Sequence, residues 1–184
     1  MMATALVPIA NGSEEMEAVI VIDLLRRAGI DVTVAGDATV VTCSRGVKII
    51  PDTTIEELTD DDTYDAVVLP GGSQGVDALA ASHTLELLVR RHHAAKKYIA
   101  AICAAPTLLH EWGLLAPATV VTSHPGVESV LQGYTYVTDR VVTAGRIITS
   151  RGAGTATEFS LEIIRRLVGD AAAARVATDI VLYE

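Results

Sequence analysis

The chain has 184 residues, half of them apolar, which is enough to bury a full core within one domain. Fourteen Lys and Arg against 23 Asp and Glu leave a formal charge of −9, the wrong sign for a protein that lives on nucleic-acid phosphates or anionic lipid. The two cysteines, Cys43 and Cys103, fall in no metal or disulfide spacing, and Met1 to Pro8 lacks the basic flank and length of a signal sequence, so a reducing cytoplasm is expected. The longest strongly apolar stretch, Ala18 to Leu25, is broken by Asp23 and is too short to span a bilayer.

Apolar runs bounded by Gly and Pro alternate with segments of helical period, the pattern of a mostly parallel α/β sheet covered on both faces. Ala3 to Ala10 reads as a strand, Glu14 to Arg27 as a helix ended by Gly29, and Asp31 to Ala35 as a strand. Val40 to Ile50 holds one or two further strands around Cys43, and Thr54 to Leu58 starts a short helix. Asp65 to Pro70 is the next strand, followed by the turn Gly71-Gly72-Ser73-Gln74-Gly75 and a helix over Ser82 to Lys97. The strand from Tyr98 runs into Cys103 and a helix through Trp112, and Thr119 to Ser123 returns as a strand. Val141 to Thr143 and Arg146 to Thr149 bracket Ala144-Gly145, a hairpin that adds an antiparallel piece at one edge. In the last predicted helix, Thr155 and Glu158 form a capping box, Phe159, Ile163, Ile164 and Leu167 supply the apolar stripe, and Gly169 follows the end.

Ligands of open α/β sheets bind outside the carboxyl ends of the strands, where four segments of this chain fall. They are Ala10 to Ser13 leading to Glu14, Glu15 and Glu17, then Gly71-Gly72, then Cys103-Ala104, and Ser123-His124-Pro125. A strand turning abruptly into a helix holds a thiol at the sheet edge and aims a helix N-terminus at it, favouring the thiolate. Cys103 as a buried small hydrophobe is the other reading of that segment. Glu17 sits in a helix that reads as apolar nearly all round, so desolvation should raise its pKa and let it donate a proton to a thiolate or oxyanion. Glu14 and Glu15 are assigned to the helix dipole. Asp23, about 120° from Glu17 around the axis, is assigned to an interface or core hydrogen bond.

Glycines at 71 and 72 let the backbone approach a reacting atom closely, and the amides of Gly72 and Ala104 are candidates for an oxyanion hole, with Gly71 in the same substrate-binding turn. Neither Gly71-Gly72-x-x-Gly75 nor Gly152-Ala-Gly154 matches a dinucleotide fingerprint, and the second reads as a turn leading into a helix. His124 is placed to shuttle protons, or is an ordinary loop histidine. His83, His92, His93 and His110 fall on helices away from the strand ends, so no metal site is expected. Arg45 and Arg151, each in a Ser-Arg-Gly turn, hold an anionic substrate group or join subunits, and Cys43 reads as structural.

Several segments together carry a resemblance: Asn11 to Glu17, Arg26 to Gly36, Cys43 to Arg45, Val68 to Gly72, Ala100 to Ala104, His124-Pro125 and Thr149 to Gly152. In order and across nearly the whole chain, they resemble the ThiJ/PfpI superfamily, in the branch of the human Parkinson-disease-associated deglycase and chaperone. That resemblance implies a flavodoxin-like three-layer sandwich and a homodimer with Met16 at its interface. It also implies Cys103 as nucleophile and redox-modified residue, Glu17 as the protonated acid bonded to its sulfur, His124 as assisting base, and Gly72 and Ala104 as oxyanion donors. Ala105 and Ala153 depart from the family's glycine and proline, and Ile50 replaces a second interfacial cysteine, which puts interface redox chemistry in doubt.

The activity implied is detoxification of dicarbonyls such as methylglyoxal, or deglycation of their early adducts on proteins or nucleotides, with nucleic acid entering only as a glycated substrate. Neither metal nor nucleotide cofactor is implied. A redox-sensing chaperone is the alternative from another class. A cysteine peptidase or amidotransferase is a third reading, the latter disfavoured because His124-Pro-Gly provides no His-x-Glu pair.

Overall fold

A computed structural model describes residues 2–182. The chain opens with β1 (Thr4–Ile9), α1 (Glu15–Arg27) and β2 (Asp31–Gly36), then a small hairpin of β3 (Val41–Thr42) and β4 (Lys48–Ile49). After β5 (Thr53–Thr54) and a 3-10 turn at Ile55–Glu57 come β6 (Ala66–Leu69), α2 (Ser73–Ala80), α3 (His83–Ala94), β7 (Tyr98–Ile102) and α4 (Pro106–Glu111). The last third holds β8 (Val120–Val121), a 3-10 segment at Pro125–Leu131, β9 (Thr135–Tyr136), β10 (Val141–Ala144), β11 (Ile147–Ser150), α5 (Ala156–Val168) and α6 (Asp170–Asp179).

Seven strands form one sheet in the order β10-β11-β7-β6-β1-β2-β5, parallel throughout except for the β10–β11 hairpin at one edge. Its five central strands, β2-β1-β6-β7-β11, follow the 2-1-3-4-5 order of a flavodoxin-like fold, whose switch point lies between β1 and β6. Strand alternation builds a core on each face. Val7, Ile9, Val68 and Ile102 pack with Leu25 of α1, Phe159 and Ile163 of α5, and Val176 of α6. Leu6, Val67, Leu69 and Ile99 pack on the other face with Leu79 of α2, Leu85 and Leu88 of α3, and Leu108 of α4. Phe159 is fully buried, and its truncation to Ala should cost about 3–5 kcal/mol.

The main strands and the edge hairpin lie where the sequence places them, and several details differ. Ser73–Ala80 forms a helix where only a glycine turn was expected. The interior Gly75 disguises the helix, and it is there because a Cβ would stand 2.5 Å from the Ser13 nitrogen. The 119–123 strand shrinks to β8, which pairs with β9 outside the main sheet. The capping box fails: the Thr155 hydroxyl contacts Ser150 Oγ at 2.6 Å and Glu158 binds Arg140, so neither caps α5. A further helix, α6, follows Gly169; its alanine run carries no broad apolar stripe, although Ala173, Val176 and Ala177 are buried.

Helix α1 is two-faced, not apolar all round. Met16 and Val19 are 52% and 47% exposed, while Glu17 is fully buried. Asp23 belongs to the exposed face of the chain and pairs with Arg27 at 2.7 Å, an i,i+4 ion pair that corrects its assignment to a core hydrogen bond.

Candidate active site

The site gathers at the carboxyl ends of β1, β6, β7 and β11, on both sides of the switch point. Cys103 follows β7 with φ at 64°, a left-handed conformation that costs a non-glycine residue about 1–3 kcal/mol. Its neighbours fix that elbow. The Cys103 amide donates to the Ser150 carbonyl at 3.0 Å, and its own carbonyl accepts the His124 amide at 2.8 Å. The same hydrogen bonds that lock the strained turn therefore bring β11 and His124 to the thiol.

Glu17 enters from the first turns of α1. One carboxyl oxygen, Oε2, accepts the Gly71 amide at 2.7 Å, and the other, Oε1, is buried without a hydrogen-bond partner. Gly71 is a packing necessity: a Cβ there would lie 2.6 Å from Cys103 Cβ and 2.7 Å from Glu17 Oε2. Its amide is thus committed to Glu17, which takes Gly71 out of the expected substrate-binding set. The backbone amides of Gly72 and Ala104 lie on the Cys103 side of the turn and favour its thiolate.

Burial pushes Glu17 up to about 7 in spite of the Gly71 amide and the Cys103 contact, and the nearby Glu14 charge adds to the rise. Burial, then the Glu17 charge beside the thiol, pushes Cys103 up to about 12 against the two amides. The thiol is therefore not acidified by its helix. Helix α4 is only six residues long, and the low-dielectric surroundings with a carboxylate alongside outweigh its N-terminus.

His124 lies at the exposed lip of the site, where its Nδ1 accepts the Gly126 amide at 3.0 Å. In the neutral ring this leaves the proton on Nε2, making the opposite edge a donor. Gly152 faces all three side chains: a Cβ built on it would stand 3.7 Å from His124 Cδ2, 3.9 Å from Glu17 Oε1 and 4.0 Å from Cys103 Sγ. An open cleft of about 580 Å³ lies over them, lined also by Glu14, Ser44, Arg45 and Gln74.

Glu14 and Glu15 do more than serve the helix dipole. Glu14 caps α1, and both carboxylates meet the Ser44 hydroxyl, at 2.8 and 2.7 Å. Glu15, itself buried, also accepts the Arg45 amide at 2.8 Å and so ties the β3–β4 hairpin to the cleft wall. The Arg45 side chain lines the cleft, whereas Arg151 keeps a buried Nη1 without a partner. Cys43 is buried, and burial, with the Glu15 and Glu14 charges behind it, pushes its thiol up to about 11. Among the described residues, no three His, Cys, Asp or Glu gather as metal ligands.

The sequence profile of the DJ-1/PfpI family matches residues 3–166. The chain belongs to the DJ-1/PfpI family. Within it, the chain is 44% identical over 185 residues to the zebrafish (Danio rerio) Parkinson disease protein 7 homolog, covering 98% of this chain and 97% of that one. The crystal structure of Drosophila melanogaster DJ-1beta superposes with a TM-score of 0.94 at 44% identity, covering all of both chains. A Caenorhabditis elegans member named glutathione-independent glyoxalase DJR-1.2 is 38% identical, covering 85% of this chain and 84% of that protein. Among the described residues, no helix is long and apolar enough to cross a membrane.

Proposed function

We propose that this DJ-1/PfpI member is a glutathione-independent glyoxalase that converts methylglyoxal and water to lactate, using its own thiol in place of a thiol cosubstrate. One observation carries the reading: the Cys103 sulfur, the Oε1 of Glu17 and the His124 ring all lie within 4.0 Å of one point, where a Cβ on Gly152 would stand. The glyoxalase name of the worm relative supports the same chemistry.

Glu17 and Cys103 together need to hold one proton at the start. The Cys103 sulfur adds to the aldehyde carbon, and the carbonyl oxygen takes that proton from Glu17, giving a hemithioacetal. Glu17, now a carboxylate, removes the hydrogen from the same carbon, and the electron pair moves onto the adjacent ketone oxygen. His124 donates a hydrogen bond to that oxygen, while the Gly72 and Ala104 amides stabilise the first one. Returning that proton from Glu17 to the second carbon, while the proton on the first oxygen passes to the second oxygen, leaves a lactoyl thioester, which water hydrolyses to lactate and the free thiol. An early methylglyoxal adduct on a protein or nucleotide opens with the same attack, so deglycation is the companion activity.

The decisive measurement follows methylglyoxal loss and lactate gain in the absence of glutathione, and separately uses a preformed glycated amine of known free-aldehyde content. Cys103→Ala should abolish both gains in lactate while the fold stays intact. Equal residual turnover in Cys103→Ala and Cys43→Ala would favour the redox-sensing chaperone instead. Association is part of the proposal: Met16 and Val19 leave an apolar stripe on α1 beside the acid, suited to a second copy of the chain. Light scattering at micromolar concentration should give a dimer.

A further inference from the structure

Most glycines of this chain are explained by packing or backbone conformation. Gly71, Gly72 and Gly75 would each drive a Cβ to within 2.7 Å of a neighbour, and Gly29, Gly46, Gly113, Gly145 and Gly169 have positive φ. Gly152 satisfies neither condition. Its φ of 161° is extended backbone open to any residue, and no neighbour would approach its Cβ closer than 3.7 Å. An alanine fits there in ordinary van der Waals contact. Yet the three atoms nearest that Cβ belong to His124, Glu17 and Cys103.

We infer that Gly152 is a specificity-determining residue: its missing side chain keeps open the one-carbon gap in which the substrate's reacting carbon passes between sulfur, carboxyl and imidazole. This deepens the glyoxalase reading and rests on it. A carbon bonded to Sγ has to present its hydrogen to Glu17 Oε1, and a methyl group at position 152 would stand within 4.0 Å of both atoms and crowd that carbon. A hydrogen at position 152 leaves a methyl-sized volume beside the three side chains, which suits a carbonyl whose reacting carbon bears only hydrogen and one further chain, the aldehyde end of a 2-oxoaldehyde. Branched centres are excluded on the same ground.

The test compares wild type, Gly152→Ala and Gly154→Ala. Gly154, two residues on, lacks positive φ and has nothing within 4 Å of its Cβ, which makes it a matched control on the same turn. Three readouts are needed besides the thermal midpoint: methylglyoxal kinetics, the rate of Cys103 alkylation by iodoacetamide, and the rate of Cys103 oxidation by hydrogen peroxide. In alkylation the sulfur bonds to carbon as iodide leaves, so a carbon has to enter the gap. In peroxide oxidation the sulfur attacks one oxygen, the O–O bond breaks and hydroxide leaves, so cysteine is oxidised as peroxide is reduced and no carbon is needed.

Gly152→Ala should melt with wild type and oxidise at the wild-type rate, but lose roughly 100-fold in kcat, with alkylation slowed alongside it. Gly154→Ala should match wild type throughout. Wild-type turnover and alkylation in Gly152→Ala would overturn the inference, and so would a much lower melting temperature, which would make Gly152 a packing glycine. If wild type forms no lactate, the glyoxalase reading fails, while the alkylation ratio still decides whether the gap is real.

Discussion

Glu17 and His92 are both buried titratable side chains on helices packed against the sheet, and they differ in how much of their hydrogen-bonding capacity is used. His92, 3% exposed, accepts the Tyr64 amide on Nε2 at 2.9 Å, donates from Nδ1 to the Leu88 carbonyl at 2.8 Å, and stacks on the Tyr64 ring. Burial lowers its pKa and keeps it neutral. Glu17 has one oxygen bonded to Gly71 and the other free beside a thiol. A satisfied buried group holds structure together, whereas a half-satisfied one stores the capacity that a reaction can draw on.

Glu17→Gln is the change that breaks this contrast most severely. Glutamine keeps a carbonyl for the Gly71 amide and a donor for the sulfur but can neither give up nor take the proton, so methylglyoxal turnover should fall by roughly 10²–10⁴-fold. Stability should move the other way. A carboxyl raised from 4.5 to about 7 favours the fold at low pH, and that advantage is lost as pH rises through this window, by about 3 kcal/mol in all. The variant should therefore unfold at a higher temperature than wild type at pH 8, a gain that shrinks towards pH 4.5. Calorimetry across that range reads the effect directly, and a variant less stable at pH 8 would mean that Glu17 is a structural anion.

The wild-type pH–rate profile sharpens the same point. The thiol and carboxyl need to share one proton, so kcat/KM should rise through about pH 7 as the doubly protonated pair loses its first proton, then stay level into the alkaline range. Iodoacetamide alkylation of Cys103 should follow the same curve. A profile flat through pH 7 would remove Glu17 from the proton transfers.

His92 gives a smaller and purely structural effect. His92→Ala leaves the Tyr64 amide buried without its acceptor and opens a cavity, costing about 3 kcal/mol with turnover per folded molecule unchanged. Its linkage opposes that of Glu17: a histidine whose folded pKa lies below 6.5 loses stability as pH falls below 6.5. Wild-type stability should thus be comparatively flat between pH 4.5 and 6.5, and the Glu17→Gln variant should climb with pH there. The same downward slope in both proteins would show that the two groups do not offset one another.

This contrast also marks what the sequence could reveal. Strands β1, β2, β6 and β7 are legible because continuous apolar runs bounded by Gly and Pro have no other soluble use, and Cys103 is legible because a strand ends on it. Glu17 stands out as an acid in an apolar helix. Three things are invisible in a linear pattern: that Gly71 spends its amide on Glu17, that Glu15 reaches across to Ser44 and Arg45, and that Gly152 faces the thiol from the turn after β11. Each is a contact between segments at least 29 residues apart, fixed by strand order and not by local periodicity. The missed helices have a different cause: α2 is only eight residues long with the helix-disfavouring Gly75 inside it, and α6 buries only Ala173, Val176 and Ala177.

The finest distinction is between the two cysteines, and it turns on which neighbouring carboxylates can take up a proton. Burial and adjacent carboxylates raise both thiols, Cys43 to about 11 and Cys103 to about 12, so the raised values alone would predict Cys43 to react first. The carboxylate beside Cys43 is Glu15: burial raises its pKa, but hydrogen bonds from its own amide, Ser44, Arg45 and Val47 outweigh that and hold it low, so it stays ionised. The carboxylate beside Cys103 is Glu17, which takes up a proton near pH 7, and the thiol can supply it. Cys43 is also 4% exposed, whereas Cys103 is partly open to the cleft. Peroxide should therefore modify Cys103 first and stop largely at the sulfinate, one oxygen of which can accept the Glu17 proton. Cys43→Ala should cost about 1 kcal/mol and leave both turnover and Cys103 oxidation unchanged. Peptide mass spectrometry over a peroxide series checks the order of reaction. Modification of Cys43 ahead of Cys103, or the same Cys103 products in wild type and Glu17→Gln, would mean that the shared proton does not govern the thiol.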